Sequence, residues 1–263
     1  MLIKRKSIEQ AESSRRPARK PKFAPVTLSE QDGVRYLHFG TEWVQGAMRI
    51  RKPDWPELEY AQQMMAWMLF IDQPQTIAQL GLGAATLTKY CYRQFPEAGV
   101  TAEELNPSVI AISASMFKLP PEDDRLRVLE MDAMEFVEDA ANHDVFDVLQ
   151  CDLYDATARG PVLDTPEFYA ACAACLRADG IMTVNLFGDH PSFNKNLKAM
   201  RFAFGHVVCL PEVHEGNVVA LCFKNRPDPA LLDPARLAAR AAQIVAATKL
   251  PAKRWVDGLL TES

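Results

Sequence analysis

The stretch TIAQLGLGAATLTKYCYRQFP, residues 76–96, decides the fold. It opens with a short, mostly apolar run typical of a buried strand, which leads directly into Gly81 and Gly83. Apolar residues then recur at helical spacing until Pro96 ends the helix. A strand, a glycine turn and a helix in this order form one unit of a parallel α/β sheet. The glycines let a ligand approach the backbone beside free helix N–H groups, although a tight turn alone also uses such residues.

The same alternation of strand and helix continues to about residue 225. It predicts an α/β domain with a mostly parallel sheet and helices on both faces. The further strands are predicted over 99–105, 125–132, 145–155, 180–188, 206–213 and 217–225, the last two as a hairpin. The further helices are predicted over 106–119, 133–141, 165–180 and 191–205.

The rest of the chain divides into segments of different character. Residues 1–24 are rich in Lys, Arg, Ser and Glu and predict a disordered basic tail. Residues 25–57 alternate apolar and polar residues between turn signals, which predicts a small N-terminal antiparallel β-meander. The α/β domain covers residues 58–227 and begins with a helix predicted over 58–71. Residues 228–263 predict one or two C-terminal helices.

Composition and charge argue against several classes of function. The net charge of −5 gives no overall basic field, so no nucleic acid partner is expected. No stretch reaches the roughly 18 to 20 apolar residues that span a membrane. The six cysteines are scattered, and the pair Cys172 and Cys175 lies in an apolar helical stretch without histidines to complete a metal site. We therefore expect buried, reduced thiols, no metal ion and a cytoplasmic protein.

Acidic residues stand where successive strands end, at the edge of the sheet where ligands bind. Glu104 ends the second strand of the domain, about twenty residues after the glycines, where an acid holds a ribose diol. Asp132 ends the third, where an acid accepts from an adenine amino group or caps the next helix, and both roles are compatible. A surface glutamate is the alternative for Glu104. Together with Gly81 and Gly83, these acids predict an adenosine site on a Rossmann-like sheet of the class I methyltransferase type.

The fourth strand, VFDVLQCDLYDA at residues 145–156, ends in two further acids, Asp152 and Asp155. Two close carboxylates raise the cost of each other's ionisation and attract a cation. One of them can accept a proton while the other holds a charged amine. The alternative is a strand-end turn in which the acids cap the next helix.

These motifs, in this order from about residue 33 to residue 225, resemble the polyamine aminopropyltransferases, the family of spermidine and spermine synthases. That family carries an aspartate pair at this strand end, as in Asp152-Leu153-Tyr154-Asp155, and a V-E-I-D-P segment similar to residues 103–107. Its D-G-x-x-Q segment is similar to the stretch that ends in Gln45. Its acid-rich helix start with a tyrosine is similar to residues 57–64, which contain Tyr60.

The resemblance implies an enzyme that moves an aminopropyl group from decarboxylated S-adenosylmethionine to an amine such as putrescine, releasing methylthioadenosine. It implies no tightly bound cofactor, because decarboxylated S-adenosylmethionine, or S-adenosylmethionine itself, is a co-substrate. The implied partner is a small amine or polyamine, and family members often form homodimers. By position, Asp152 helps to deprotonate the amine and Tyr60 orients it. The implied binding residues are Gln45, Gly81, Gly83, Glu104 and Asp132 for the nucleoside, and Asp155, Gln62 and Gln63 for the amine.

The sequence departs from the family pattern at three places: Ala156 replaces the proline after the aspartate pair, and the other two departures each remove an acid. The family's glycine loop contains an aspartate that contacts the amine of the donor, whereas residues 81–85 contain no acid. The acid of the helix start is replaced by Gln63, and an amide binds an amine less strongly than a carboxylate does. Two other functions are therefore kept open: an S-adenosylmethionine-dependent methyltransferase on the same scaffold, and a non-catalytic nucleoside- or polyamine-binding protein.

Overall fold

The computed structural model of the protein describes residues 23–156, 160–213 and 216–261. The basic tail predicted over 1–24 lies outside the described residues except for its last two. The described strands are β1 Thr27–Gln31, β2 Val34–His38, β3 Gly46–Arg49, β4 Thr76–Leu80, β5 Gly99–Glu104, β6 Leu126–Glu130, β7 Phe146–Cys151, β8 Leu176–Phe187, β9 His206–Cys209 and β10 Asn217–Phe223. The α-helices are α1 Glu59–Gln63, α2 Thr86–Gln94, α3 Pro107–Met116, α4 Ala133–Glu138, α5 Pro166–Cys175, α6 Phe193–Ala203, α7 Pro234–Thr248 and α8 Ala252–Thr261.

The main sheet has seven strands in the order β6-β5-β4-β7-β8-β10-β9. Strands β4 to β8 run parallel to one another, and β10 runs antiparallel to both β8 and β9. Helices α2, α7 and α8 cover one face, while α4, α5 and α6 cover the other, so the apolar strands are buried on both sides. This architecture confirms the predicted Rossmann-like, mostly parallel sheet of the methyltransferase type.

The strand order places the ligand crevice between β4 and β7. The chain leaves β4 toward β5 on one side and later returns to β7 on the other, so the connections diverge at this point of the sheet. In open α/β sheets, ligands bind outside the carboxyl ends of the strands at such a switch point. Gly81 directly follows β4 and Asp152 directly follows β7, which brings both to the same crevice.

A separate three-stranded antiparallel sheet, β1-β2-β3, forms the predicted β-meander. Its first turn contains Asp32 and Gly33 with φ of 52° and 75°, which are the left-handed values that a two-residue hairpin requires. Leu37 and Met48 bury the inner face of the meander against α3. At the start of β3, Gly46 lies so close to the glycine loop that a Cβ there would be 2.8 Å from the Cβ of Ala84.

The continuous helix predicted over 58–71 is wrong, because α1 ends at Gln63 and a short 3₁₀ turn, Ala66–Leu69, follows. The side chain of Gln150, inside β7, donates from Nε2 to the backbone oxygen of Met64 at 3.1 Å. This bond replaces the one that a continuing helix would make. All residues from Met64 to Leu69 are buried, so this segment has no solvent face to favour a regular amphipathic helix.

The helix predicted over 165–180 is too long, because α5 ends at Cys175 and β8 begins at Leu176. Leu176 pairs with Phe146 at the start of β7, and the register then shifts until Val148 pairs with Ile181. The strand thus begins at Leu176 and not at residue 180, where it was predicted to start. The burial of Leu176 in the core favours strand pairing over another helical turn.

The cysteines agree with the expectation from composition, because all six are buried and free. The terminal segment contains α7 and α8. Within the described residues, no helix is long and apolar enough to cross a membrane, and no group of three or more His, Cys, Asp or Glu side chains is arranged to hold a metal ion.

Candidate active site

A cavity of about 680 Å³ opens at the carboxyl ends of β4, β5 and β7, and the meander covers one side of it. Strand ends provide its polar floor, while the loop between β2 and β3 provides an apolar rim that includes the exposed Trp43. Eight of the residues predicted for the site line this one cavity: Gln45, Tyr60, Gly81, Gly83, Glu104, Asp132, Asp152 and Asp155. The structure therefore brings together residues that are far apart in the sequence.

Glu104 is held in place at one end of the cavity by backbone groups. Its Oε2 accepts from the N–H of Leu82 at 3.2 Å, and its Oε1 accepts from the N–H of Asn106 at 2.8 Å. Burial raises the pKa of this carboxyl, while the backbone donors act in the opposite direction. The fixed carboxylate is suited to accept hydrogen bonds from a pair of hydroxyl groups.

Asp132 stands beside Glu104, at the N-cap of α4. Its Oδ1 accepts from the N–H of Met134 at 2.8 Å, so the capping interpretation of this residue is confirmed. Asp132 also lines the cavity, so one residue caps the helix and faces the ligand space. The two interpretations of Asp132 are therefore compatible in the structure, as expected.

The glycine loop brings the backbone close to the end of β7. Gly81 has φ of +90°, and a Cβ at this position would lie 2.5 Å from the backbone oxygen of Asp152. Gly83 has φ of +50°, and a Cβ added at this position would lie 3.2 Å from the backbone oxygen of Gln45. Both positions thus require glycine for a close approach and for a left-handed conformation, which the motif alone left open.

Asp152 is the centre of a hydrogen-bond network at the other end of the cavity. The hydroxyl of Tyr60 donates to its Oδ2 at 3.2 Å, and Nδ2 of Asn185 donates to its Oδ1 at 2.9 Å. Burial raises the pKa of Asp152, and the bonds from Asn185 and Tyr60 lower it to a smaller extent. A buried carboxyl with a raised pKa accepts a proton more readily than an exposed one does.

Three residues of this network were not found from the sequence. Asn217 donates from Nδ2 to Oδ1 of Asn185 at 2.9 Å, and the hydroxyl of Tyr154 donates to the backbone oxygen of Asn185 at 3.3 Å. Asn185 interrupts the apolar run of β8, Asn217 stands at the start of β10, and both are buried. A polar residue within a predicted buried strand was the signal that could have identified them.

The meander holds the loop that carries Asp155. Gln45 donates from Nε2 to the backbone oxygen of Asp155 at 3.0 Å, and the hydroxyl of Thr41 donates to the backbone oxygen of Ala156 at 2.9 Å. Gln45 thus lines the cavity and also fixes the loop after β7. The position of the acid pair depends on contacts from a sheet that lies far away in the sequence.

Gln62 and Gln63 are not brought into the cavity, which corrects their expected position as amine-binding residues. Gln62 donates from Nε2 to the backbone oxygen of Pro56 at 2.9 Å, and Gln63 donates to the backbone oxygen of Pro211 at 2.8 Å. Tyr60 in the same helix faces Asp152, while the two glutamines are held by their bonds to other parts of the protein. Sequence position within the motif did not show this difference in direction.

The charged groups among the described residues that line the cavity are all acids. Six carboxyl groups line it: Glu42, Glu103, Glu104, Asp132, Asp152 and Asp155. No Lys, Arg or His side chain is among the described residues that line it. Such a site attracts cationic ligands and disfavours anionic groups.

Comparison with known proteins agrees with this geometry. A polyamine aminopropyltransferase of Neisseria meningitidis serogroup A is 32% identical over 246 residues, which cover 93% of this chain and 92% of the relative. The chain belongs to the polyamine aminopropyltransferase family. The model of the spermine/spermidine synthase domain matches residues 98–227.

Solved structures show the same fold. A probable spermidine synthase of Corynebacterium glutamicum superposes with a TM-score of 0.69 at 20% identity, covering 86% of this chain and 85% of that one. A spermidine synthase in complex with the transition state analogue AdoDATO superposes with a TM-score of 0.59 at 21% identity, covering 80% of this chain and 78% of that one. In this aminopropyltransferase, the domain match includes Glu104, Asp132 and Asp152, and the longer match to the Neisseria relative also includes Gln45 and Tyr60.

Proposed function

We propose that the protein transfers an aminopropyl group from decarboxylated S-adenosylmethionine to a small amine such as putrescine. The observation that carries this proposal is the contact of Tyr60 with Asp152 in the same cavity as the strand-end acids Glu104 and Asp132. One end of the cavity has acceptors suited to a nucleoside, and the other has a buried base suited to an amine. The family relationship supports the same reaction.

The charge of the cavity supports the decarboxylated donor. This donor carries a sulfonium and an ammonium, and both charges are favoured by a cavity lined with carboxyl groups. S-adenosylmethionine carries an additional carboxylate, which would meet no Lys, Arg or His among the described lining residues. Burying such a charge without a partner is costly. The same argument weighs against a methyltransferase, because that reaction uses the intact donor.

The reaction requires few groups from the protein. The amine nitrogen attacks the propyl carbon next to the sulfonium, so a C–N bond forms and a C–S bond breaks. The electron pair of the broken bond stays on sulfur, which becomes the neutral thioether of methylthioadenosine. Asp152 takes the proton from the amine, and Tyr60 orients both groups. Alignment contributes up to about 7–11 kcal/mol in favourable cases, and a general base adds about 10²- to 10⁴-fold.

We assign roles to the remaining residues from the family resemblance, and their places in the cavity support this assignment. Glu104 accepts from the ribose hydroxyls, and Asp132 accepts from the adenine amino group. Gln45, Gly81 and Gly83 surround the sulfur end of the nucleoside. Asp155 binds the ammonium of a diamine acceptor, and its loop is fixed by the bond from Gln45. Neither Gln62 nor Gln63 has a role in this proposal.

We also propose that the enzyme works as a homodimer in the cytoplasm. Four of the five residues of β1 are exposed, and β1 is an edge strand of the three-stranded sheet, so it offers a surface for a second copy. A cytoplasmic location is supported by six free cysteines, which persist in a reducing compartment. Analytical ultracentrifugation tests the dimer, and a monomer at micromolar concentration contradicts it.

A product assay with Asp152→Asn tests the proposed function. The purified protein is mixed with putrescine and decarboxylated S-adenosylmethionine, and products are identified by mass spectrometry. We expect methylthioadenosine and spermidine from the wild type, at least about 100-fold less from Asp152→Asn, and wild-type rates from the exposed control Asp124→Asn. Unchanged turnover in Asp152→Asn removes this residue from the mechanism. Formation of S-adenosylhomocysteine from the intact donor, without aminopropyl transfer, refutes the proposal in favour of methyl transfer.

A further inference from the structure

A row of polar side chains crosses the sheet two positions before residues that line the cavity. Gln79 on β4 is in register with Gln150 on β7, which is in register with Thr183 on β8. All three residues are at most 1% exposed. Asp152 continues the pairing of β7, because its N–H bonds to the backbone oxygen of Leu80 at 2.9 Å. Alternate strand residues point to the same face, so Gln150 and Asp152 lie on one side of the sheet.

The side-chain amide of Gln150 connects this row to helix α1. Its Nε2 donates to the backbone oxygen of Met64, the C-cap of α1, at 3.1 Å. A carbonyl oxygen only accepts, so this contact fixes which end of the amide is the donor. The other end, Oε1, accepts from Nε2 of Gln79 at 3.0 Å and from the thiol of Cys91 at 3.5 Å. The orientation of the amide is therefore determined at both ends.

The bond to Met64 closes a circuit that contains the proposed base. The N–H of Met64 donates to the backbone oxygen of Tyr60 at 2.8 Å, and the hydroxyl of Tyr60 donates to Asp152 at 3.2 Å. Asp152 lies two residues after Gln150 on the same strand, so the circuit returns to its starting point. Both partners of the contact between Tyr60 and Asp152 are thus fixed relative to β7.

Helix α1 depends on such contacts because it has little stability of its own. It contains five residues, and its N-cap has no side-chain hydrogen bond. Isolated helices shorter than about 12 residues are marginal in water. The bonds of Gln62 and Gln63 tie α1 to loop residues, whereas the bond of Gln150 ties it to the strand that leads to Asp152.

Packing alone does not require an amide at this point of the core. An apolar side chain of the same size fills buried space without polar atoms that need partners. A buried glutamine whose donor reaches a helix end therefore favours a role in positioning that helix.

We propose that Gln150 is a positioning residue, which holds α1 against β7 and thereby keeps the hydroxyl of Tyr60 within hydrogen-bond distance of Asp152. Gln150 is not among the described residues that line the cavity, so it acts on the reaction through Tyr60. The inference rests on the proposed function in taking Tyr60 and Asp152 as the groups that act on the amine.

A double-mutant cycle with Tyr60→Phe tests this route. Gln150→Met keeps the approximate size of the side chain but removes the donor to Met64. We expect it to lower kcat about 3- to 10-fold and to leave KM for the donor within about twofold, because the nucleoside end of the cavity is unchanged. In the Tyr60→Phe background the hydroxyl is absent, so Gln150→Met is expected to change kcat by less than about twofold.

Gln79→Met is the matched control, because it removes an amide of the same size and one buried hydrogen bond from the same row. The bond from Gln150 to Met64 stays intact in this variant, and the thiol of Cys91 still donates to Oε1. We expect kcat within about twofold of the wild type.

Three outcomes overturn the proposal. Gln150→Met leaves kcat unchanged, its effect multiplies in full with that of Tyr60→Phe, or Gln79→Met lowers kcat as much as Gln150→Met does. If Gln150→Met does not fold, Gln150→Asn decides in the same cycle, because its shorter side chain keeps a buried amide but does not reach Met64.

A measurement without substrate separates this inference from the proposed function. Fluorine NMR of the full chain labelled with fluorotyrosine observes the six tyrosines, and Tyr60→Phe identifies the resonance of Tyr60. We expect Gln150→Met to shift or broaden this resonance and Gln79→Met to leave it in place. A moved resonance, with no spermidine formed by the wild type, supports the positioning role and refutes the reaction. An unmoved resonance, with an active wild type, supports the reaction and refutes the positioning role.

Discussion

Replacing Asn185 by leucine tests whether the environment of Asp152 sets its ability to accept a proton. Leucine has a similar size, but it removes the Nδ2 donor that lies 2.9 Å from Oδ1 of Asp152. Tyr60 remains as the donor to Oδ2. Asn185 acts through Asp152 and is therefore a positioning residue, so its loss must change the ionisation of Asp152 and not only the stability of the fold.

The size of the effect follows from the bond that is removed. A hydrogen bond to a charged group contributes about 1.5–3 kcal/mol, and one pKa unit corresponds to about 1.36 kcal/mol. Removing the donor destabilises the carboxylate relative to the acid, so the pKa of Asp152 rises further above its ordinary value. Because part of the loss is compensated by Tyr60 and by water, we expect an increase of about one unit.

The assay is the pH dependence of kcat/KM for the amine, measured by methylthioadenosine release at saturating donor. Asp152 accepts a proton only as a carboxylate, so activity falls as pH decreases through its pKa. In Asn185→Leu, this acidic limb moves to higher pH by about one unit. At low pH the variant is then about tenfold slower than wild type, and the difference becomes smaller toward high pH.

The matched control is Asn225→Leu, because Asn225 lies outside the cavity and bonds to the backbone oxygen of Ala178. Its acidic limb is expected to coincide with that of the wild type. If Asn185→Leu is slower by the same factor at every pH, with the acidic limb unmoved, its role is structural and the reasoning is refuted. An acidic limb that moves to lower pH refutes it as well.

Three further substitutions test other contacts. Tyr60→Phe removes the other donor to Asp152 and lowers kcat about tenfold with little change in KM for the donor; unchanged steady-state kinetics contradict this. Gly81→Ala places a Cβ 2.5 Å from a backbone oxygen and is expected to lower turnover about 100-fold. The control Gly33→Ala, whose added Cβ meets no atom within 4 Å, is expected to keep turnover. Equal activity of the two variants contradicts the steric argument. Because its pKa rises from 4.5 to about 8 on folding, Glu103 makes wild-type stability fall as pH rises through this window. Urea unfolding of Glu103→Gln is expected to give a free energy of unfolding without this decrease. If the free energy of unfolding changes with pH in the same way in both proteins, the prediction is contradicted.

The sequence predicted the fold and the strand-end part of the site for a simple physical reason. Parallel strands end at the same edge of a sheet, so the residues that directly follow them lie close together, however far apart they are in the sequence. Gly81, Glu104, Asp132 and Asp152 each follow or end a strand that its apolar residues made recognisable. Their convergence therefore required no knowledge of side-chain packing.

The rest of the site could not be predicted because it depends on strand pairing and side-chain directions that the sequence pattern does not fix. Asn185 and Asn217 become neighbours only through the antiparallel pairing of β8 with β10, where Asn217 is opposite Phe187. Within α1, Tyr60 bonds to Asp152, whereas Gln62 and Gln63 bond to backbone oxygens of Pro56 and Pro211. These partners come from distant segments, and the helical motif does not specify them.

The two ends of the cavity use carboxyl groups for opposite purposes, and their partners explain the difference. Glu104 is surrounded by backbone N–H groups, whose positions are fixed by the glycine loop and the start of α3, so it remains an acceptor throughout a reaction. Asp152 is held by one amide and one hydroxyl from side chains. Burial raises the pKa of both carboxyl groups, so the difference between them lies in their donors, which are fixed backbone groups at Glu104 and side chains at Asp152. Groups whose environments differ in this way divide into those that bind and those that exchange protons. The acid at the nucleoside end is therefore suited to recognition, and the acid at the amine end is suited to catalysis.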